Sequence, residues 1–271
     1  MTSLVCWAGV DSHGPASIYM STDSRISWGP TLNWDAGRKV FASRCRPEIL
    51  GYVGDVMFPS LVLGQIVDAG ETRLAVLGQN QAEHRFERIE GLIKGAFKSL
   101  PDSAKNPFQI GYAVRTGIGM KAVFRFFSLE WNSRTWVSAE ANMPASSDSV
   151  AIWGSGTRSM ELWKQRWNSS SQRSTSRAIF SSLCDSIASG ADPLSGGPPQ
   201  LVGLYRIGGA RTIGVVQQGS AYIFGLPADP VDHGDLGTEW RNHLFERCDI
   251  TGKALESAQR HHAPGGLAKK H

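Results

Sequence analysis

The sequence predicts an α+β chain folded as a four-layer αββα sandwich. Two pairs of segments carry apolar residues at helical spacing, and groups of strand-like runs separate one pair from the other. Helices and sheets bury their apolar faces against other elements, so two helix layers around two sheets give every apolar face a partner. The 271 residues are 41% hydrophobic and 19% charged, a composition typical of a globular chain with a sizeable core.

The first half of the chain begins with two predicted strands. Residues 3–10 and 16–21 are apolar runs, and the Asp, Ser, His, Gly and Pro residues between them predict a turn. Two helices are then predicted over residues 56–69 and 80–99. Their apolar faces contain Val56, Leu61, Val62 and Ile66, and Phe86, Ile89, Leu92, Ile93 and Phe97.

Strand-like runs resume after the second helix and again near residue 200. They lie at residues 108–114, 122–127 and 135–138, and three more lie within 200–224. Two further helices are predicted between these groups, joined by the Ser-rich loop 168–176. Their apolar faces contain Met160, Trp163 and Trp167, and Ile179, Phe180, Leu183 and Ile187.

The C-terminal part of the chain differs from the rest. No internal repeat or domain boundary is visible before about residue 226. We therefore treat residues 2–225 as one domain and 226–271 as a C-terminal extension. From Thr238, mixed basic and acidic residues predict a solvated surface helix with a frayed end. A docking element for a partner is the alternative interpretation.

Composition argues against several classes of protein. A net charge of +4 is too small to indicate a nucleic-acid footprint. No signal-peptide pattern or membrane-length apolar run is present, so a cytoplasmic location without membrane contact is the expectation. The four cysteines lack metal-binding spacing, so we expect reduced thiols in the core and no metal site. They are Cys6, Cys45, Cys184 and Cys248.

Thr2 becomes the first residue if Met1 is removed, and it would then carry both a hydroxyl nucleophile and an α-amine. A threonine hydroxyl is weak at neutral pH and needs a base. An α-amine, with an ordinary pKa of about 7.7–8.0, suits that role. Threonine also follows the initiator Met in many unrelated proteins, so this position alone identifies nothing.

Asp23 ends the second predicted strand, and Lys39 follows sixteen positions later. Two strands and a turn would bring the beginning of the first strand beside these residues. A buried lysine there would disfavour protonation of a nearby amine, and the carboxylate would keep the lysine charged. An ordinary solvated ion pair is the alternative.

Several motifs over residues 2–225 resemble those of the proteasome β-subunit family, including its bacterial proteasome-related branch. They are the N-terminal Thr, Asp23-Ser24-Arg25, Lys39-Val40, the strand and turn that end at Gly54-Asp55, Gly154-Ser155-Gly156, and Asp192-Pro193-Leu194-Ser195-Gly196-Gly197. Their order and spacing are similar to the family's, except that the interval from Lys39 to Ser155 is about twenty residues longer.

The resemblance implies an N-terminal-nucleophile hydrolase fold and a threonine-type endopeptidase. The implied catalytic residues are Thr2, Asp23, Lys39, Ser155, Asp192 and Ser195. Lys39 would lower the pKa of the Thr2 amine and, with Asp23, orient the nucleophile. The last three residues would hold the amine by hydrogen bonds.

The resemblance also implies where a substrate binds. The backbone N–H of Gly54 would stabilise the oxyanion. The pocket for the side chain before the cut would be lined by Ile26, Gly37, Tyr52, Val53 and Val56, and we expect it to prefer apolar side chains. Trp28 and Trp34 lie in the segment that lines the family's cleft, and either shape that cleft or play no part in it.

A proteasome-like enzyme implies a homo-oligomeric ring with an internal chamber. Its substrates would be peptides or unfolded proteins, fed by a separate ATP-dependent unfoldase. No cofactor is implied, and the chain has no P-loop pattern. Two alternatives stay open: a catalytically silent scaffold subunit of the same fold, and an N-terminal-nucleophile amidase that acts on a small molecule.

Overall fold

Two β-sheets pack face to face, and a pair of helices covers the outer face of each sheet. The computed structural model describes residues 2–29, 31–71, 81–229 and 237–258. The layers follow the order helices, sheet, sheet, helices. The predicted four-layer αββα sandwich is therefore confirmed.

The described residues form sixteen strands and four α-helices. The strands are β1 (Ser3–Asp11), β2 (Gly14–Thr22), β3 (Ile26–Trp28), β4 (Leu32–Trp34), β5 (Val40–Ala42), β6 (Glu48–Gly54), β7 (Phe108–Thr116), β8 (Val123–Trp131), β9 (Trp136–Ala141), β10 (Asp148–Gly154), β11 (Gln200–Tyr205), β12 (Arg211–Gln217), β13 (Ser220–Ile223), β14 (Leu226–Pro227), β15 (Glu239–Asn242) and β16 (Arg247–Cys248). The helices are α1 (Met57–Glu71), α2 (Ala82–Lys98), α3 (Thr157–Asn168) and α4 (Ser176–Ala188).

The first sheet places β1 between β10 and β2. Its order is β10-β1-β2-β11-β12-β13-β14, with β15 and β16 attached beside β12. The second sheet has the order β5-β6-β7-β8-β9, and β3 and β4 form a separate two-stranded sheet. Ser3 lies opposite Gly154 on β10, and Leu4 lies opposite Thr22 on β2. This register brings the beginning of β1 beside the Gly-Ser-Gly turn and the Asp23 segment.

Strand β1 is buried on both faces, which explains its nearly continuous apolar sequence. Leu4 and Cys6 face the core between the two sheets. Val5 and Trp7 face the opposite way and pack against the α3–α4 layer. A third cluster joins the outer face of the second sheet to α1 and α2. The first strand is thus fixed by packing as well as by pairing.

Some predicted details of burial are wrong. The helical spacing predicts Leu61 and Leu92 on the apolar faces of their helices, but both are exposed, whereas Phe58 and Leu63 are buried in the core beneath α1. Cys45 is an exposed free thiol because its segment forms a surface bend, whereas the other three cysteines are buried free thiols. No helix within the described ranges is long and apolar enough to cross a membrane.

Strand β10 is missing from the sequence-based interpretation. It lies at the edge of the first sheet and pairs antiparallel with β1. Its first six residues are all half-buried and its last is exposed, so no alternation of apolar and polar residues marks it.

The predicted helix in the C-terminal extension is wrong for residues 239–248. This segment forms β15, which pairs parallel with β12, and β16. The Trp240 ring packs on Gly214, where an added Cβ would lie 2.2 Å from the ring. Three of the charges that suggested a solvated helix form ion pairs instead: Glu239 pairs with Arg211 and Arg241, and Glu246 forms a buried pair with Arg177 on α4. The last residues of the extension, 259–271, lie outside the described residues.

Candidate active site

Thr2 is fully buried immediately before β1, beside the turn that follows β10. Its backbone nitrogen donates to Ser155 Oγ at 3.2 Å. Gly154 has a φ of +99°, and a Cβ at this position would lie 1.8 Å from the Thr2 carbonyl oxygen. Only glycine therefore permits this close approach of the turn to Thr2.

Asp23 and Lys39 form an ion pair on the other side of the chain's first residues. Lys39 Nζ donates to Asp23 Oδ1 at 2.9 Å, and both side chains have no exposed surface. The same oxygen accepts the backbone N–H of Ser3 at 3.0 Å. Lys39 thus lies beside the backbone that links Thr2 to Ser3. The solvated ion pair considered from the sequence is not what forms.

The Asp23 carboxylate is held by the backbone as well as by the lysine. Its second oxygen, Oδ2, accepts the N–H groups of Arg25 and Gly196, each at 3.0 Å. Together with Lys39 Nζ and the Ser3 N–H on Oδ1, these bonds fix both carboxylate oxygens in position.

Burial acts on the charge of the lysine. Removal from water lowers the pKa of Lys39 below its ordinary value, and the neighbouring Asp23 carboxylate offsets part of that effect. Lys39 consequently holds its proton less tightly than a solvated lysine does. When protonated, Lys39 places a positive charge in the protein interior, where the low dielectric constant strengthens its interaction with nearby groups.

Asp192 joins two serines on the side of the turn. Ser155 Oγ and Ser195 Oγ both donate to Asp192 Oδ2 at 2.7 Å. Ser195 Oγ also lies 2.8 Å from Ser3 Oγ. The Thr2 nitrogen is therefore connected to the Asp192 carboxylate through a single hydroxyl group.

The structure brings all six predicted catalytic residues into one continuous network. Gly196 closes it, because its N–H binds Asp23 while the preceding residue, Ser195, binds Asp192. The network runs through Thr2, Ser155, Asp192, Ser195, Gly196, Asp23 and Lys39. No group of three His, Cys, Asp or Glu side chains suitable for a metal ion occurs in the part of the chain that is described.

Gly54 ends β6 close to this network. The Tyr52 N–H donates to the Lys39 carbonyl at 3.2 Å. N–H groups alternate along a strand, so that of Gly54 faces the same edge of β6 as that of Tyr52. Gly54 has a φ of +95°, and a Cβ there would lie 2.7 Å from the Pro107 carbonyl oxygen. Its N–H is thus a backbone donor at a position that only glycine fills without strain.

The other predicted substrate-binding residues are only partly brought together. The Ile26 side chain packs on Gly37, where a Cβ would lie 2.2 Å from Ile26 Cδ1. Tyr52 and Val56 instead pack against the core beneath α1, and Val53 faces the core between the sheets. Tyr52 is fully buried, so its side chain is not at the surface beside Ile26.

The β3–β4 hairpin extends the apolar surface from Ile26. Its register pairs Ile26 with Trp34 and Trp28 with Leu32, so these four side chains share one face. The last three are 52%, 59% and 65% exposed, respectively. Both tryptophans considered from the sequence therefore lie on an open apolar face next to Ile26.

The sequence assigns no role to two residues that support the site, Arg25 and Gln200. The Arg25 guanidinium binds both carboxylate oxygens of Asp35, at 2.7 and 2.8 Å, and the Pro193 carbonyl at 3.1 Å. It lies over Gly196, where a Cβ would approach Arg25 Cζ to 2.3 Å. The second residue, Gln200, binds the segment before β5. Most of their partners are distant in sequence, so the signals were limited to Arg25 in the Asp23-Ser24-Arg25 motif and the glycines of the Ser-Gly-Gly segment.

Comparison with known proteins gives structural neighbours only. No protein-family model matches the chain, and no curated protein matches its sequence. Among solved structures, BPH from Thiobacillus denitrificans in complex with epoxomicin shares 16% identity at a TM-score of 0.46, covering 76% of this chain and 100% of that chain.

Two further solved structures give similar values. Eukaryotic HslV from Trypanosoma brucei shares 8% identity at a TM-score of 0.45, covering 74% of this chain and 99% of that one. The Anbu (Gly-1) mutant from Hyphomicrobium sp. strain MC1 shares 15% identity at 0.47, with 76% and 82% covered. These neighbours are proteasome-like.

Proposed function

We propose that this chain is an N-terminal threonine peptidase that hydrolyses peptide bonds through an acyl-enzyme on Thr2 after removal of Met1. The observation that carries the proposal is the hydrogen bond from the Thr2 nitrogen to Ser155, within a network that also contains the buried Lys39–Asp23 pair. With Met1 attached, that nitrogen is a peptide N–H. Removal of Met1 would convert the same atom into the α-amine.

The first half of the reaction is acylation. Thr2 Oγ1 attacks the peptide carbonyl while the free amine takes the hydroxyl proton, directly or through a water molecule. The proton then passes to the leaving amine as the peptide bond breaks, leaving an ester on Thr2. The Gly54 N–H is the donor that we assign to the developing oxyanion; losing such a donor typically costs about 10²–10³ in rate.

Water completes the cycle. The amine removes a proton from a water molecule, which attacks the ester; the acid product leaves and the proton returns to Thr2 Oγ1. The positive charge of Lys39 disfavours protonation of the amine and so keeps it available as a base at neutral pH. The Ser155–Asp192–Ser195 chain fixes the direction in which the amine points.

We further propose that the peptidase works as a homo-oligomeric ring in the cytoplasm and receives unfolded proteins from a separate ATP-dependent unfoldase. A freely accessible endopeptidase would damage its own cell, so enclosure of the site is the physical requirement. Mass photometry at micromolar concentration should show one large species. A population that consists of monomers would count against the ring while leaving the chemistry intact.

The chemistry is tested by labelling with a β-lactone probe, read by intact mass. The expected result is one adduct per chain on a protein that has lost Met1. Thr2→Ala should abolish the adduct, whereas Thr212→Ala, the same change on β12 away from the site, should leave it unchanged. Retention of Met1, or labelling that survives Thr2→Ala, would refute the proposal.

Substrate class separates peptidase from amidase. Fluorogenic peptides with apolar, acidic or basic residues before the cut should be hydrolysed, with apolar residues preferred because Ile26 and the β3–β4 hairpin present apolar surface. A labelled protein that cleaves no peptide but hydrolyses small amides would favour the amidase. A protein that is neither labelled nor active would favour the silent scaffold.

A further inference from the structure

Gln200 lies where three segments of the site converge. It begins β11, directly after the Ser-Gly-Gly-Pro-Pro run, and pairs with Thr22 at the end of β2. Only 1% of its surface is exposed. Its side chain reaches the segment before β5, which carries Lys39. Burying a side-chain amide costs free energy unless both its C=O and its NH₂ group form hydrogen bonds. The partners of Gln200 therefore show which segments it connects.

The Gln200 amide is fixed by partners that leave it no choice of orientation. Oε1 accepts the backbone N–H of Lys39 at 3.0 Å. Nε2 donates to the Gly37 carbonyl at 2.6 Å and to Ser24 Oγ at 2.9 Å. A backbone N–H only donates and a carbonyl only accepts. If the amide were rotated by 180°, its NH₂ group would face the Lys39 N–H, donor against donor, and its oxygen would face the Gly37 carbonyl, acceptor against acceptor. Glutamine is the side chain that fits both.

These bonds act on the backbone that aims the lysine. Gly37 is held on its other side, where its N–H donates to the Ser24 carbonyl at 2.9 Å. The Lys39 carbonyl accepts from Tyr52 on β6. Strand β5, which follows Lys39, has only three residues. Without Gln200, the Lys39 peptide would therefore keep its bond to β6 and lose the one that ties it to the first sheet.

We propose that Gln200 is a positioning residue that fixes the backbone of Lys39 and thereby keeps the lysine's charge beside the Thr2 nitrogen. This inference rests on the proposed function. Gln200 touches neither substrate nor reacting atoms; it acts through the Gly37–Lys39 segment. The competing interpretation is that the amide only satisfies buried backbone groups and contributes to stability alone.

Two variants and one matched control separate these interpretations. Gln200→Met keeps the length of the side chain and removes both hydrogen-bonding ends. Gln200→Glu keeps the acceptor for Lys39 but replaces the donor with an anion beside Asp23. Val202 lies on the same face of β11, in the core between the sheets, so Val202→Ala should lose stability, but its apolar side chain makes no hydrogen bond that holds the Lys39 segment.

The first readout is the pH profile of kcat/KM on a fluorogenic peptide. Loss of a correctly placed cation raises the pKa of the Thr2 amine, so the acid limb should move to higher pH by about half a unit or more. At neutral pH kcat should fall by about tenfold to a hundredfold with little change in KM. Gln200→Glu should shift the limb further in the same direction. Val202→Ala should not shift it.

The second readout needs no activity and no removal of Met1. Acetic anhydride is applied to the native protein, and acetylation of Lys39 is followed by peptide mass spectrometry. Lys39 is fully buried and should react slowly in the wild type. Gln200→Met should accelerate its modification on the order of tenfold relative to Val202→Ala at equal loss of thermal stability.

Each outcome has one meaning. If wild type shows no labelling or turnover but Gln200→Met still exposes Lys39 selectively, the proposed function fails and the positioning role stands. If Gln200→Met and Val202→Ala give equal Lys39 reactivity, or if an active Gln200→Met enzyme keeps the wild-type acid limb, the positioning role is overturned. If Gln200→Met does not fold, the acetylation of Lys39 in Gln200→Glu, compared with Val202→Ala at equal loss of thermal stability, decides between the same results, because the added carboxylate would move the acid limb by its own charge.

Discussion

The buried Lys39–Asp23 pair makes a quantitative prediction about stability. Lys39→Met removes the charge and keeps a long unbranched side chain. Asp23 is then left as a buried carboxylate without a counter-ion, which typically costs about 3–5 kcal/mol. Three backbone N–H groups still bind Asp23, from Ser3, Arg25 and Gly196. We therefore expect a loss at the low end, about 3 kcal/mol.

The chain offers a matched control for this variant. Lys94 and Glu90 on α2 form an ion pair of similar length, 2.7 Å, but their side chains are 39% and 18% exposed. Lys94→Met should cost only about 0.3–0.5 kcal/mol because solvent screens such pairs. The measurement is the free energy of unfolding in urea at pH 7 and at one protein concentration, since assembly would otherwise alter it.

A double variant tests whether the two charges act on each other. Asp23→Asn combined with Lys39→Met should lose less stability than the two single changes added together, by about 0.5–3 kcal/mol. Removing both charges also removes the need to keep either one in the interior. Equal losses for Lys39→Met and Lys94→Met, or strict additivity in the double variant, would show that the reasoning about the buried pair is wrong.

Four further predictions follow from particular contacts. Gly154→Ala places a Cβ against Thr2 at a φ that alanine rarely adopts, so it should abolish β-lactone labelling, as intact mass would show. Iodoacetamide should modify Cys45 alone in the native protein, because burial raises the thiol pKa of the other three cysteines; peptide mapping reads the sites. Trp240→Ala should cost about 3–5 kcal/mol in urea unfolding; a smaller loss than about 1 kcal/mol would mean that the extension does not support the sheet. Burial raises the pKa of Glu48 above its ordinary 4.5, so the folded state binds more protons and stability falls as pH rises through that window. Glu48→Gln should remove this loss of stability with rising pH. Thermal melts recorded from pH 4.5 upward measure it, and an equal loss in the variant would contradict the prediction.

The elements that could be read from the sequence are those that bury a regular face. The continuous apolar run of β1 and the helical spacing of apolar residues in α2 are both local patterns that burial imposes. Strand β10 could not be recognised because all its residues are partly or fully exposed to solvent, so neither of its faces is marked by buried apolar residues. Its place is set by pairing with β1, a contact about 150 residues away in sequence.

The C-terminal extension shows how the same composition supports two structures. Alternating charges usually indicate a solvated helix, but here Glu246 meets Arg177 across the molecule and Trp240 covers a glycine of β12. A local pattern cannot reveal that a distant glycine has left room for an indole. The prediction failed because the deciding contact lies outside the segment.

The candidate site divides in the same way. By itself, the sequence determined which side chains could do the chemistry, since a threonine beside a potential α-amine, a lysine and two carboxylates are chemical identities that folding does not change. Only the tertiary structure decided that Lys39 is buried against Asp23, that Ser155 receives the Thr2 nitrogen, and that Gln200 and Arg25 hold the supporting segments. The physical reason is that burial and hydrogen-bond geometry depend on segments from β1, β2, β5, β10 and β11 meeting at one point, which no stretch of neighbouring residues encodes.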